Sequence, residues 1–298
     1  MSGWLFFAVL SNFMYSISNI LDQLIRKRHI RNDVSLIVIW MSTFFLLWLA
    51  IVPFIGVSVP PLPQLAAAVT AGFVVMFMVW VYVYAISHEE VSRVIPVLQL
   101  NAVLVLLFST VFLGEVLRPV NYAGFAVMFL AGLVMTVEKV RNRLRLSRPL
   151  LLMTAASVFL AISVTLMKFF YNSEGFWNGF FWFNVGGFSS TLLIALLPGN
   201  LKRAASDVKL LNRKVALLFL ATTLATLFGD LSYLFAIKSG PVSLVAVVGS
   251  TQIAILFVMT LLLSGFFPRV LKERTDRKAL ITKAVAIALM VAGLLLLR

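Results

Sequence analysis

Long apolar segments follow one another along almost the whole chain, separated by short polar loops. A helix needs about 20 mostly apolar residues to cross the hydrocarbon layer of a membrane. Ten segments are long enough for this: Gly3–Ile25, Val34–Gly56, Leu65–Ile86, Val91–Leu113, Val120–Val137, Leu150–Tyr171, Phe176–Leu197, Val215–Ile237, Val242–Gly265 and Ala279–Leu297. With 61 % hydrophobic and 12 % charged residues, the composition excludes an ordinary soluble protein. We therefore expect an all-α integral membrane protein with ten transmembrane helices.

One stretch of the chain occurs twice. Residues 82–114 and 233–265 align without a gap, and both contain an aromatic helix end, a short polar turn and a long apolar helix that ends in glycine. Ser92 and Ser243 are among the matched positions. A fixed internal repeat indicates that the fold is built from related units.

A basic linker at residues 138–149 separates the first five segments, residues 1–137, from the last five, residues 150–298. Because five is odd, the second half starts on the opposite side of the membrane. We therefore expect two inverted five-helix repeats. Transporters built in this way place their substrate site near the membrane midplane, between the halves.

The basic residues are concentrated in alternate loops. Of 25 Lys and Arg, only Arg118, Lys168, Lys238 and Arg298 lie on the side opposite to the rest. The positive-inside rule then places the basic loops in the cytoplasm and both termini outside. The net charge of +14 thus indicates contacts with anionic membrane lipids at these loops rather than with nucleic acid. We expect a multi-pass protein of a prokaryotic inner or plasma membrane, as a monomer or homodimer.

The end of the first half carries a family resemblance. Phe112–Met135 reads FLGEVLRPVNYAGFAVMFLAGLVM, which resembles the "LGE … G … L … G" close of the drug/metabolite transporter superfamily, in its ten-helix EamA-type branch. Ile162–Phe170, ISVTLMKFF, is similar to the first helix of the small multidrug resistance members. The resemblance implies a secondary transporter with a central cavity for a small solute, and it also permits a lipid or lipid-linked-sugar flippase.

Some positions depart from the pattern of that superfamily. The membrane-buried Glu of the small multidrug members aligns with Leu160, and its repeat partner is Tyr15. The acidic residue after the closing Gly is Glu115 in the first half but Phe266 in the second. The ten-helix branch usually has cytoplasmic termini, whereas the charge distribution here places them outside.

The first segment has a polar stripe, since its polar residues follow helical steps of three and four: Asn12, Tyr15, Ser16, Asn19, Asp22 and Gln23. A polar face in hydrocarbon must meet protein or water. We expect the stripe to face a solute cavity, the alternative being hydrogen bonds that join neighbouring helices. For Asp22 alone, an ion pair with Arg26 or Lys27 at the membrane edge is favoured.

The eighth segment has a second stripe, which includes Thr226, Asp230 and Tyr233. Asp230 is an acid well inside a span, where it must be paired, hydrated or protonated. It is therefore a candidate for proton coupling or for binding a cationic group. Lys168 is its candidate partner, and a purely structural Asp–Lys pair is the alternative.

The repeated helix offers four more polar residues at matching positions of the two halves: Gln99, Asn101, Ser250 and Gln252. Amides donate and accept hydrogen bonds at once and can orient an uncharged or zwitterionic solute. These residues complete the predicted substrate-binding set.

Several function classes lack their motifs in this sequence. The chain has no cysteine, no HExxH, no GxSxG, no paired catalytic aspartates and no phosphate-binding loop, so we expect no enzyme activity, metal or cofactor. The sequence thus predicts a secondary transporter of a small organic solute such as an amino acid or amine, working by alternating access, with proton coupling as an option. A lipid flippase is the alternative, and an intramembrane enzyme is a weaker one.

Overall fold

The computed structural model describes residues 3–28, 33–88, 91–136, 148–209, 212–263 and 277–297. All regular secondary structure in these ranges is helical. The α-helices are α1 Gly3–Arg28, α2 Asp33–Ile51, α3 Leu62–His88, α4 Val91–Leu113, α5 Pro119–Thr136, α6 Arg148–Tyr171, α7 Phe176–Leu196, α8 Asn200–Val208, α9 Arg213–Ser239, α10 Val242–Val248, α11 Thr251–Leu263 and α12 Arg277–Leu296.

Helices occupy all ten predicted segments, with two differences from the sequence-based expectation. The ninth segment is interrupted and forms two helices, α10 and α11, and the short α8 lies in the loop after the seventh segment. Among the described residues, seven helical segments are long and apolar enough to cross a membrane, with the broken ninth segment counted as one, and three shorter apolar helices accompany them. The all-helical membrane architecture is thus confirmed, whereas the count of ten spans stays a prediction.

The surface of the helices has the inside-out polarity of a membrane protein. On α1, Phe6 and Phe13 are exposed, whereas Asn12 and Ser16 are buried. On α9, large apolar side chains are likewise exposed while threonines are buried: Leu217, Leu220, Leu224, Phe228 and Phe235 against Thr222, Thr223 and Thr226. Exposed apolar surface of this extent indicates contact with lipid.

The most extensive contacts join helices of different halves. The first helix of the first half, α1, packs on α9, and the first helix of the second half, α6, packs on α3. The last helices of the two halves, α5 and α12, pack on each other. Two related five-helix units with an axis between them would give this pattern, and the inverted orientation of the two units stays a prediction.

The ninth segment is broken because its backbone changes hydrogen-bond pattern at Gly249 and Ser250. The amides of Gly249, Ser250, Gln252 and Ile253 each donate to the carbonyl three residues earlier, at 3.1–3.2 Å, instead of four. The amide of Gln252 thus bonds Gly249 and leaves the carbonyl of Val248 without its α-helical partner. A carbonyl freed in this way needs a side-chain donor.

Helices α3 and α7 approach each other most closely at two glycines. A Cβ added at Gly72 would lie 1.8 Å from the carbonyl oxygen of Phe183, and one at Gly186 would lie 2.0 Å from that of Val69. Backbone cannot yield as a flexible side chain can. Small residues at such a crossing allow the close van der Waals packing that holds helices together in lipid.

We expect Gly72→Ala to destabilise the protein by about 1–3 kcal/mol, because the added methyl group forces α3 away from α7. Thermal unfolding in detergent, followed by size-exclusion chromatography, measures the loss. Gly175→Ala is the matched control, since a Cβ at Gly175 meets nothing within 4 Å. Equal melting temperatures for the two variants would contradict the close-packing account.

Candidate functional site

The polar stripe of α1 faces protein. Asn12, Ser16 and Ser18 are buried, and Tyr15 and Asn19 are partly buried. Helix α1 packs on α9 and α11, so this face meets the second half of the chain. The described side chains of the stripe thus lie between helices, and their expected role in lining a solute cavity stays a prediction.

The stripe of α1 pairs with the stripe of α9 along one antiparallel seam. The Tyr15 hydroxyl donates to Oδ1 of Asp230 at 2.7 Å. The hydroxyls of Ser18 and Thr226 are hydrogen-bonded at 2.8 Å, and Asp22 lies near Thr222 a further turn along, although the Thr222 hydroxyl makes no hydrogen bond within the described part of the chain. Residue numbers rise on α1 as they fall on α9, which is the register of two antiparallel helices. We call these three pairs the α1–α9 seam.

Two features of α9 allow the phenol of Tyr15 to reach Asp230. A Cβ at Gly229 would lie 2.7 Å from Cε1 of Tyr15, so the ring needs the bare glycine backbone there. The ring of Tyr233 meets that of Tyr15 edge-on, with centroids 6.4 Å apart. Tyr15, Asp230 and Tyr233 form one cluster, and such a carboxylate keeps lone pairs that can accept from an ammonium group.

The break between α10 and α11 is held by α1. Nδ2 of Asn12 donates to the freed carbonyl of Val248 and to Oγ1 of Thr251, both at 2.9 Å. The Ser16 hydroxyl donates to the carbonyl of its own helix at Asn12, at 2.7 Å, and to that of Gln252, at 3.3 Å. Two of the predicted site residues of α1, Asn12 and Ser16, therefore donate to backbone carbonyls of the broken helix.

The structure places the remaining predicted residues as follows. Ser250 is buried, and its hydroxyl donates to the carbonyl of Val247 at 2.8 Å; Gln252 is partly buried beside Ser16. Asn101 on α4 has a buried Oδ1 without a partner among the described residues. The side chains of Gln99 and Gln23 lie outside the described residues.

Lys168 does not pair with Asp230, in contrast to the suggested ion pair. Its Nζ donates to the carbonyls of Ile237, Lys238 and Gly240, at 3.0, 3.3 and 2.7 Å. These carbonyls follow Asp230 by seven to ten residues, which is roughly 10–15 Å along a helix. The free carbonyls at the C-terminus of α9 attract the ammonium group, since a helix carries partial negative charge there.

Glu115 is a functional candidate that the sequence stripes do not reveal. It follows α4, and its carboxylate accepts hydrogen bonds from the amides of Val242 and Ser243, at 2.9 and 3.3 Å, and from the Ser243 hydroxyl. The family-like LGE motif was the available signal, because it places an acid directly after a helix-ending glycine. Glu115 and Lys168 both line a cavity of about 360 Å³ beside the α9–α10 turn.

Comparisons with known proteins agree with this membrane architecture. Residues 2–137 match the model of the EamA-like transporter family, so the matched range ends where the predicted first half ends. The chain also superimposes on a crystal structure of a protein with a TM-score of 0.66 and 16 % sequence identity, over 99 % of this chain and 95 % of the other. At that identity the likeness establishes the fold alone. No curated protein sequence matches the chain.

We expect Asn12→Ala to destabilise the protein by about 1–3 kcal/mol, because it leaves the buried carbonyl of Val248 with one donor fewer. Asn12→Asp keeps the size and loses the donor, and it is expected to cost at least as much. Thermal unfolding in detergent provides the measurement. Ser42→Ala is the control, since that hydroxyl donates to the Val38 carbonyl of its own helix on an exposed face. Equal melting temperatures for all three variants would show that Asn12 does not hold the break.

Proposed function

Residues 2–137 belong to the EamA-like transporter family, part of the drug/metabolite transporter superfamily, and from this premise we propose that the protein is a secondary transporter. In this proposal it moves a small organic solute, such as an amino acid, an amine or a similar metabolite, by alternating access between its two halves. A lipid or lipid-linked-sugar flippase is the alternative within the same superfamily.

The contact between Tyr15 and Asp230 carries the proposal. Asp230 lies inside the span Arg213–Ser239, where a carboxyl group is costly and is usually functional. Its hydrogen-bond partner is a neutral phenol at 2.7 Å, and no described basic side chain pairs with it. A carboxyl in this setting can take up a proton or the ammonium group of a solute, which are the two roles that coupling and binding require.

The helix break beside the α1–α9 seam supports a solute site at the same place. Discontinuous spans in transporters present backbone groups to a solute or a coupling ion. Here the break lies against Asn12 and Ser16, one turn from Tyr15. In our proposal Tyr15, Asn19, Thr226, Asp230, Tyr233 and Gln252 contact the solute, with Asn12, Ser16 and Ser250 shaping the broken helix and Gln99 and Asn101 approaching from α4.

The exchange of helices between the halves supports alternating access. Each half lends its first helix to the other, since α1 packs on α9 and α6 packs on α3. A rocking motion of one half would therefore shear the α1–α9 seam. Hydrogen bonds between membrane helices contribute only about 0.6 kcal/mol each, so such a seam can part and re-form within a transport cycle.

Membrane lipids are the second partner in this proposal. Most basic loops lie outside the described residues, but α8 is described, and its Lys202 and Arg203 are exposed. Leu201 and Val208, seven residues apart and therefore on one face of α8, are exposed as well. A short helix with an apolar and a basic side suits the surface of an anionic membrane, at about 1 kcal/mol for each positive charge.

Reconstitution into liposomes distinguishes the candidate functions. A transporter gives saturable flux of a radiolabelled solute, with the solute chosen by thermal-shift screening of amino acids and amines. A flippase instead moves fluorescent lipids between the leaflets. Lipid movement without solute flux would replace the proposal with its alternative.

We expect Asp230→Asn to lower solute flux roughly 10- to 100-fold or to abolish its pH dependence, because a hydrogen bond to a charged group is worth about 1.5–3 kcal/mol. Tyr15→Phe removes only the phenol donor and is expected to have a smaller effect. Asp207→Asn, on α8 and outside the spans, is the control. A folded Asp230→Asn variant with unchanged flux and pH profile would reduce Asp230 to a structural role.

A further inference from the structure

A charged contact joins the two halves at one end of the bundle. The carboxylate of Glu115, which belongs to the first half, accepts from two amides and one hydroxyl at the start of α10, in the second half. Gly114 has a left-handed backbone, with φ of 66°, and the Glu115 amide donates to the carbonyl of Ser109 at 3.1 Å. Glu115 is therefore fixed to α4, and its side chain ties α4 to α10.

Lys168 holds the other side of the same turn. Its ammonium group donates to three carbonyls where α9 ends, while Glu115 receives the amides where α10 begins. Each charge is complementary to the helix end that it contacts, negative at the start of α10 and positive at the end of α9. The two oppositely charged side chains line the same cavity. We call this arrangement of Glu115 and Lys168 around the α9–α10 turn the clasp.

The clasp is a closure rather than a solute site. All three donors of Lys168 and three acceptor positions of Glu115 are already engaged by the protein, so a solute would find no free charge there. Both residues nevertheless line the cavity of about 360 Å³ at this end, and Glu115 is only partly buried. Water can therefore replace the protein donors, which makes the contact strong but reversible.

Only the first half of the sequence has an acidic residue at the position of Glu115. Ser243, which donates to Glu115, has a repeat counterpart in Ser92, but the counterpart of Glu115 is Phe266, which lies outside the described residues. An inverted repeat carries corresponding contacts to the opposite membrane face. The first-half acid therefore has no carboxylate equivalent at the corresponding position of the repeat.

We propose that Glu115 is a latch that keeps the α9–α10 end of the bundle closed and so biases the resting protein toward opening at the other end. The inference rests on the proposed alternating access. A transport cycle that opens this end must release the carboxylate from the amides of Val242 and Ser243. Glu115 is a positioning residue in this scheme, since it acts on the conformation and not on the solute.

Spin-label distances across the α9–α10 end test the latch in the full chain. The protein has no cysteine, so Val116→Cys, beside Glu115, and Ser239→Cys, at the end of α9, give a label pair without background. Distances are recorded in lipid nanodiscs without solute. The label pair is studied in the parent protein, in Glu115→Gln and in Glu174→Gln. Glu174→Gln is the control, because Glu174 is a carboxylate at the same end of the bundle but accepts from Asn178 of its own half.

We expect one short distance in the parent pair and in Glu174→Gln. In Glu115→Gln we expect a second, longer population, with the ratio of open to closed molecules raised about tenfold, as for the loss of a charge-assisted hydrogen bond. Ser243→Ala is expected to shift the ratio in the same direction by less, and it supplies the test if Glu115→Gln does not fold.

The outcomes separate the latch from the proposed function. Solute flux in the wild type with unchanged distances in both Glu115→Gln and Ser243→Ala would overturn the latch and leave the transporter standing. An equal shift in Glu174→Gln would also overturn it, since loss of charge alone would then open this end. A longer spin-label distance in Glu115→Gln and Ser243→Ala alone, without solute flux in the wild type, would support the clasp as a conformational restraint and refute transport.

Discussion

Hydrocarbon offers no hydrogen-bond partner, so every polar group within a span must find one inside the protein. This constraint explains the arrangement of α1 and α9. Each helix carries polar residues on one side and large apolar residues on the other, and the polar sides meet in the α1–α9 seam. One hydroxyl–carboxylate and one hydroxyl–hydroxyl hydrogen bond satisfy two of the three pairs. The apolar sides, with Phe6 and Phe13 on α1, are left for the lipid.

The same constraint links the broken helix to the seam. Once the backbone at Gly249 and Ser250 adopts the tighter hydrogen-bond pattern, the carbonyl of Val248 must be satisfied by side chains, and both the Thr251 hydroxyl of the same segment and Asn12 of the neighbouring helix donate to it. The break in the second half and the Asn12 donor in the first half therefore stabilise each other. A motion that separates α1 from α11 would remove one of the two donors of this carbonyl, which gives the polar face of α1 a structural role in addition to the proposed role in solute binding.

The two kinds of polar contact differ in strength and in place. Within the spans the seam consists of hydrogen bonds that are individually weak and can be exchanged as helices move. At the α9–α10 end the clasp consists of charge-assisted bonds to helix termini, which are roughly twice as strong as neutral ones. A bundle with a weak interior seam and one strongly held end is suited to open at its opposite end first. In the proposed transport cycle, this difference in strength would set which end of the bundle opens first.

Much of the fold followed from the sequence because a bilayer leaves few choices. Segment length and apolarity determined that the chain is an all-helical membrane protein, and helical spacing identified the polar faces of α1 and α9 before their partners were known. The division of the ninth segment was not predicted, since the run from Val242 to Gly265 is apolar enough as a whole to indicate one span, and hydropathy does not report the local hydrogen-bond pattern around Ser250.

Partner choice was decided only by the tertiary structure. From spacing alone, Lys168 was a suitable partner for Asp230. In the structure Lys168 donates to the end of α9, and Glu115 accepts from the start of α10. Asp230 is bonded instead by Tyr15, whose ring packs on the bare backbone of Gly229. The sequence by itself determined which side chains need partners in hydrocarbon. Which partners they obtain depends on the register and approach of helices far apart in the chain, and packing alone sets these.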